Sequence, residues 1–205
     1  RFNRRARMLL PLIRCIRQAW NQEVKTAGEF LIIDSFPVPV CQPVCNYRVK
    51  IFRGVADIGY KATKKVYYYG FKVHAIVSDD GYLLDYAVTK ASVHDAKETV
   101  ELMINAHPAN HYLLGDEGYL SKNLATNLKH MGYVLWTPYR KNMQGARRHN
   151  DHQLMAIRRS IESDFSLLSY YNAENNRARS PVGFQQRLEI AILAYNMAYC
   201  LERFN

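Results

Sequence analysis

Two apolar runs in this chain each deliver a carboxylate, and that pattern narrows its folds more than any other feature. Phe30-Leu31-Ile32-Ile33 leads straight into Asp34, and Tyr112-Leu113-Leu114 leads through Gly115 to Asp116. Short, continuous apolar runs of this kind read as central strands buried on both faces. An acid placed there is costly to bury unless it is paired or holds a metal. A third acid, Glu162, lies in the late helical stretch Arg158-Arg159-Ser160-Ile161-Glu162. Together the three point to hard oxygen ligands for Mg²⁺, carried on a layered sheet-and-helix domain.

The balance of charge says what such a site would face. The 205 residues carry 28 Lys and Arg against 18 Asp and Glu, a net +10, which favours a nucleic-acid partner over a small acidic substrate. With 48% hydrophobic residues the chain is globular, long enough for one domain with a core or one domain plus a fragment. Cys41 and Cys45 form one close pair without a second, a weak zinc signal, so Cys15, Cys41, Cys45 and Cys200 read as reduced thiols of a cytosolic protein. No apolar run reaches the roughly 18 residues that span a membrane, and no secretory leader is recognisable. A start at Arg1 is what a fragment lacking its natural N-terminus would show.

Leu9, Ile13, Ile16 and Trp20 recur at helical steps, predicting a helix over 4–26 with a start or kink at Pro11. A strand follows over 29–38, ended by Pro37 and Pro39, and then a long basic connection over 39–65. The aromatic and β-branched stretch 66–77 and its return 82–89 form a hairpin around Asp80-Gly81. Asp95, with Glu98 three residues on, is expected to cap a helix reaching residue 106. A strand over 111–114, a helix over 121–130 capped by Ser121, and a strand over 133–137 come next. A basic linker, 139–149, then precedes helices over 151–168 and 181–203. The order implies one mixed sheet of five strands with helices on both faces.

Metal-assisted phosphodiester chemistry needs carboxylate oxygens converging on ions roughly 3.5–4 Å apart. Neighbouring strands lie about 4.8 Å apart, so Asp34 and Asp116 can share an ion if their strands are adjacent, with a crossing helix supplying Glu162. Each residue also has an ordinary reading. Asp116 could be a turn acid before Glu117-Gly118, and Glu162 could pair with Arg158 on a helix surface. Lys72 and His74 share one face of their strand as accessory candidates; His74 could approach a phosphate, though a satisfied strand histidine is the commoner case. His94-Asp95 reads as a helix cap. Tyr67, Tyr68 and Tyr69 could stack on unpaired bases, although packing in the strand accounts for them as well.

Five segments in register carry a resemblance. Ile33-Asp34-Ser35-Phe36-Pro37-Val38-Pro39-Val40-Cys41 resembles the first-aspartate motif of DDE-type transposases, closest to the insertion sequence 982 family of bacteria. Tyr69-Gly70-Phe71-Lys72-Val73-His74, the Thr89 to Asp95 segment, Leu114-Gly115-Asp116-Glu117-Gly118-Tyr119 and Arg158 to Phe165 resemble its later motifs in order. The resemblance covers about residues 29–170 and implies a ribonuclease H-like fold. It makes Asp34, Asp116 and Glu162 the catalytic, metal-holding residues for two Mg²⁺ ions, with Mn²⁺ as substitute. It implies transposon-end and target DNA as partners, a homodimer on DNA, and bacterial cytoplasm as the setting, at the nucleoid when bound. Residues 29–205 would be the catalytic domain and 1–28 a helical remnant of an N-terminal region. Related transposases carry Tyr seven residues before the glutamate and Lys seven after it. Met155 and Ser169 stand there instead.

Charge and placement nominate Lys64, Lys65, Arg140, Lys141, Arg147, Arg148, Arg158 and Arg159 for DNA contacts. The competing functions are a ribonuclease H-like nuclease that cuts without joining and a decayed or domesticated DNA-binding protein.

Overall fold

The computed structural model describes residues 2–24, 28–45, 48, 50–61 and 65–204. Its sheet is built from β1 (Phe30–Cys41), β2 (Asp57–Lys61), β3 (Val66–Ser78), β4 (Leu83–Lys90), β5 (Tyr112–Leu114) and β6 (Val134–Trp136). The helices are α1 (Phe2–Met8), α2 (Leu10–Glu23), α3 (Asp95–Ala106), α4 (Lys122–His130), α5 (Ala146–His149), α6 (His152–Arg159), α7 (Ile161–Tyr170) and α8 (Pro181–Phe204).

β1 and β3 form the centre, antiparallel, with Leu31 opposite Ser78 and Pro37 opposite Lys72. β4 returns antiparallel along the C-terminal half of β3. On the other side β1 pairs with β5 and β5 with β6, both in parallel. The order β4-β3-β1-β5-β6 is the ribonuclease H-like arrangement, and the five expected strands are all present. A sixth strand was not foreseen: β2 extends the sheet along the N-terminal half of β3, within the segment read as connection. It escaped notice because Ile58 and Tyr60 are exposed, so it lacks the buried alternation of an inner strand. Gly59 is required there, since a Cβ would meet that of Ala91 at 2.7 Å.

Pro37 and Pro39 do not end β1, which runs through both. The Gly70 carbonyl accepts from Ala91 N, on the side of β3 away from β1. Gly70 faces Pro39 and Lys72 faces Pro37, so both prolines occupy pairs that exchange no ladder bonds, and their missing N–H groups cost the β1–β3 ladder nothing.

Side-chain alternation along β1 feeds two cores. Ile32, Phe36 and Val38 pack with Ile161 and Leu168 of α7 and Leu188 and Ile192 of α8. Leu31 and Ile33 pack on the opposite face with Leu102 and Met103 of α3 and Leu124 and Leu128 of α4. Helices therefore cover both faces. Burying two such clusters is the main favourable term for the fold.

The N-terminal helix breaks at Leu9, where Pro11 starts α2. Rather than standing apart, α2 is tied to α8. Arg17, 6% exposed, donates through Nε to Glu189 at 2.8 Å and lies 3.1 Å from Asp85. The helix expected over 151–168 is two, α6 and α7, meeting at Ser160. There the Ser160 hydroxyl donates back to the Ile157 carbonyl at 2.8 Å, a local bond that competes with the helical ladder. Asp95 is the first residue of α3 rather than its cap: His94 takes that place and accepts from Ala96 N through Nδ1. Ser121 caps α4 as read, and Gly81 and Gly132 adopt the positive φ their turns need. Among the described residues no helix is long and apolar enough to cross a membrane.

Candidate active site

The parallel register sets the site. Ile32 lies opposite Leu114, and continuing that register by two residues brings Asp34 opposite Asp116. Asp34 shares the parity of Ile32 and Phe36, so its side chain faces α7. It meets Arg158 of α6, whose Nη2 lies 2.8 Å from Asp34 Oδ2. The same nitrogen is 4.0 Å from Asp116 Oδ2, and Nη1 is 3.6 Å from Glu162 Oε1 in the first turn of α7. One guanidinium thus has three carboxylates around it, one oxygen from each.

The remaining oxygens of the two aspartates are held by backbone. Asp34 Oδ1 accepts from Ser35 N at 2.7 Å. Asp116 Oδ1 accepts from Gly118 N at 2.7 Å, capping the 3₁₀ turn Glu117–Tyr119. Asp116 is therefore a turn acid with its second oxygen left for the site, and Glu162 does pair with Arg158 at helical spacing. Asp34 is only 17% exposed, whereas Glu162 is 68% exposed. Burial lifts the Asp34 carboxyl to about 7; Arg158 opposes that rise, and the charge of Asp116 adds to it. Among the described residues no three His, Cys, Asp or Glu side chains yet stand at the spacing of a metal cage. The three acids surround an arginine instead.

Tyr119 lies under this cluster. Its ring is fully buried, and its hydroxyl has no hydrogen-bond partner among the described residues. Burial first, then the charges of Asp34, Asp95 and Asp116, hold its phenol well above the ordinary range.

Lys72 and His74 lie on the other face of β3, toward α3, and both turn to Asp95. Lys72 Nζ is 3.0 Å from Asp95 Oδ1 and donates to the Val93 carbonyl at 2.9 Å. His74 is fully buried, with Nε2 2.8 Å from Thr89 Oγ1 and Nδ1 3.7 Å from Asp95. Burial pushes its imidazole down to about 4. It is a strand histidine, out of reach of a phosphate. Ser35, which the sequence did not single out, donates its hydroxyl to Asp95 Oδ1 at 2.7 Å. The only hint was its place beside Asp34.

Of the basic candidates, Lys65, Arg140, Lys141, Arg147, Arg148 and Arg159 are exposed. Lys64 lies outside the described residues. Arg158 departs from the expectation, because its side chain is 16% exposed and engaged with the acids. The loop carrying Arg140 to Arg148 is closed at its base: Tyr139 and Asn150 exchange hydrogen bonds of 2.7 and 2.9 Å, and His149 stacks on Tyr139. Tyr67 is 65% exposed and pairs with Tyr60 across the β2–β3 ladder, while Tyr68 and Tyr69 are buried. Cys15, Cys41, Cys45 and Cys200 are all free.

A family model described as a transposase DDE domain matches residues 25–181. None of the curated proteins matches in sequence. Among solved structures, the catalytic core domain of BIV integrase aligns at 9% identity and TM-score 0.49, over 87% of this chain and 97% of that one. The piggyBac transposase, solved as a synaptic complex with hairpin DNA, aligns at 12% identity and TM-score 0.49, over 84% of this chain and 48% of its own. The Mos1 mariner transposase catalytic domain aligns at 9% identity and TM-score 0.34, over 95% of this chain and 92% of its own.

Proposed function

The chain belongs to the transposase DDE domain family, and from that premise we propose that it is the catalytic domain of a bacterial insertion-sequence transposase of the insertion sequence 982 type. It hydrolyses a DNA strand at the transposon end and then directs the freed 3′-hydroxyl at target DNA. The observation that supports this most is the gathering of Asp34, Asp116 and Glu162 around one cation, at 2.8, 4.0 and 3.6 Å.

The donor set fits Mg²⁺, or Mn²⁺ in its place, since every candidate ligand is a hard carboxylate oxygen. Two such ions, when bound, supply Lewis acidity at the phosphodiester and a more acidic attacking hydroxyl. The protein's part is positional. Ser35 N and Gly118 N each fix one oxygen of an aspartate, and the second oxygen of each is turned toward Arg158 and the site. Glu162, the most exposed of the three, completes the set from α7. Lys65, Arg140, Lys141, Arg147, Arg148 and Arg159 meet phosphates, which positions DNA without reading it. On this reading the partners are transposon-end and target DNA, the working form is a homodimer on DNA, and the setting is the cytoplasm.

The test is to incubate the purified chain with a labelled transposon-end duplex, target plasmid and Mn²⁺. Cleaved strands and joined product support the proposal. Cleavage without joining reassigns the chain to a nuclease, and neither product leaves a DNA-binding protein.

A further inference from the structure

Arg158 was expected to meet DNA, yet its guanidinium stands among the three acids it was expected to work beside. Building on the catalytic reading above, we propose that Arg158 is an internal counter-ion that competes with divalent metal for Asp34, Asp116 and Glu162. It keeps the site closed until metal takes over the acids and frees the arginine for a DNA phosphate.

Four observations carry this. First, Arg158 faces the oxygens that a metal would use. The other oxygens of Asp34 and Asp116 are committed to Ser35 N and Gly118 N. A metal at Asp34 Oδ2 would share that oxygen with Nη2, 2.8 Å away, and two positive charges that close repel. Second, the arrangement is cohesive without metal. A single positive charge offsets three carboxylates that would otherwise repel one another. Third, Arg158 is under-used in this pose. Its Nε is buried with no hydrogen-bond partner among the described residues, although a guanidinium has five donors matched to a planar anion. Fourth, Arg158 and Glu162 stand on different helices, separated by the Ser160 joint. Arg158 can therefore be re-aimed while Glu162 stays in place.

The exchange also couples the two ligands. Metal releases a cation for phosphate, and phosphate draws that cation away from the acids, so each should strengthen the other by the same factor.

The experiment measures Mn²⁺ binding to the whole chain by titration calorimetry, with thermal melts run beside it, for wild type, Arg158→Gln and Arg158→Lys. Arg158→Gln should bind Mn²⁺ about tenfold more tightly or better, the order of a typical coupling between sites. Its metal-free melting temperature should fall, and saturating Mn²⁺ should restore it. Arg158→Lys, which keeps the charge and loses the fork, should lie between the two, and it serves as the decisive variant if Arg158→Gln does not fold. In wild type, saturating Mn²⁺ should tighten duplex binding, and Arg158→Gln should abolish that gain. Equal or weaker Mn²⁺ affinity in a folded Arg158 variant overturns the proposal, as does absence of Mn²⁺ binding from every protein. Because affinity is read without turnover, tight binding by Arg158→Gln alongside an inert wild type would keep the counter-ion and discard the transposase. Active wild type with unchanged Mn²⁺ affinity in the variant would do the reverse.

Discussion

The Ser35 hydroxyl donates to Asp95 across 2.7 Å, and one atom group away its backbone N–H donates to Asp34 across the same distance. A single residue thus ties the first turn of α3 to the buried acid of β1, through the sheet from one face to the other. Lys72 closes the arrangement from β3. Ser35→Ala removes one partly buried hydrogen bond and leaves the Asp95 carboxylate with Lys72. Stability should drop by about 1 kcal/mol in urea unfolding with the m-value unchanged. A change within a few tenths of a kcal/mol would mean the bond is matched by water.

Asp34→Asn should abolish strand cleavage while duplex binding stays close to wild type. An amide keeps the shape and is a poorer Mg²⁺ ligand, whereas phosphate contacts come from Lys and Arg. Gel-shift and cleavage assays on one preparation separate the two effects, and cleavage near the wild-type rate would remove Asp34 from the ligand set.

Asp34 and His74 pull metal-free stability in opposite directions over one acid range. Burial holds Asp34 up at about 7 against an ordinary 3.8, so the folded chain binds more protons than the unfolded one between those values. Stability falls as pH rises through that window. Burial pushes His74 down to about 4 from 6.5, so the unfolded chain binds more protons there and stability rises with pH. Measured against wild type, Asp34→Asn should therefore gain stability steadily from about pH 4 to 7. His74→Gln should lose it from about pH 4 to 6.5. Parallel curves for all three proteins would contradict both shifts.

Arg147→Ala with Arg148→Ala should weaken binding to every duplex alike. Each phosphate contact contributes about −0.9 to the slope of log affinity against log salt, so the slope should become shallower by up to about 1.8. A loss confined to one DNA sequence would point to base reading instead.

Glu189→Gln tests whether α2 belongs to the catalytic unit. Glu189 is 1% exposed and accepts from both Arg14 and Arg17. Neutralising it leaves Arg17 buried with only Asp85 as a charged partner, and stability should fall by about 3 kcal/mol in a single transition. A separate early transition for the N-terminal helices would show that they form an independent unit.

The strand runs and their acids were legible because apolar stretches beside isolated carboxylates violate the cost of burial, and only a pairing or a ligand resolves the violation. The course of β1 past Pro37 was not legible, because whether a missing N–H matters depends on which edge it faces. The His94 cap was hidden for a related reason: Asp95 is a good capping residue by type, but here its carboxylate is taken by Lys72 and Ser35, which approach from other strands. Arg158 beside Glu162 read equally well as a surface pair. Only the fold brings Asp34 and Asp116 to the same guanidinium. Ser160 gave no warning of a break, since its back-bond to Ile157 looks like any helical serine until the ladder is traced.

The parity of β1 makes the candidate site sensitive to a one-residue frame error. Asp34 faces α7 and Ser35 faces α3 only while β1 holds its register against β5 and β3. Sliding β1 by one residue exchanges the two, so the serine would enter the acid cluster and the aspartate would turn toward Lys72. Residues can be added to the exposed stretch around Gly54 without touching that alternation. A single residue inserted between Phe30 and Asp34 would disarm the molecule, or force it to choose between its cores and its acid.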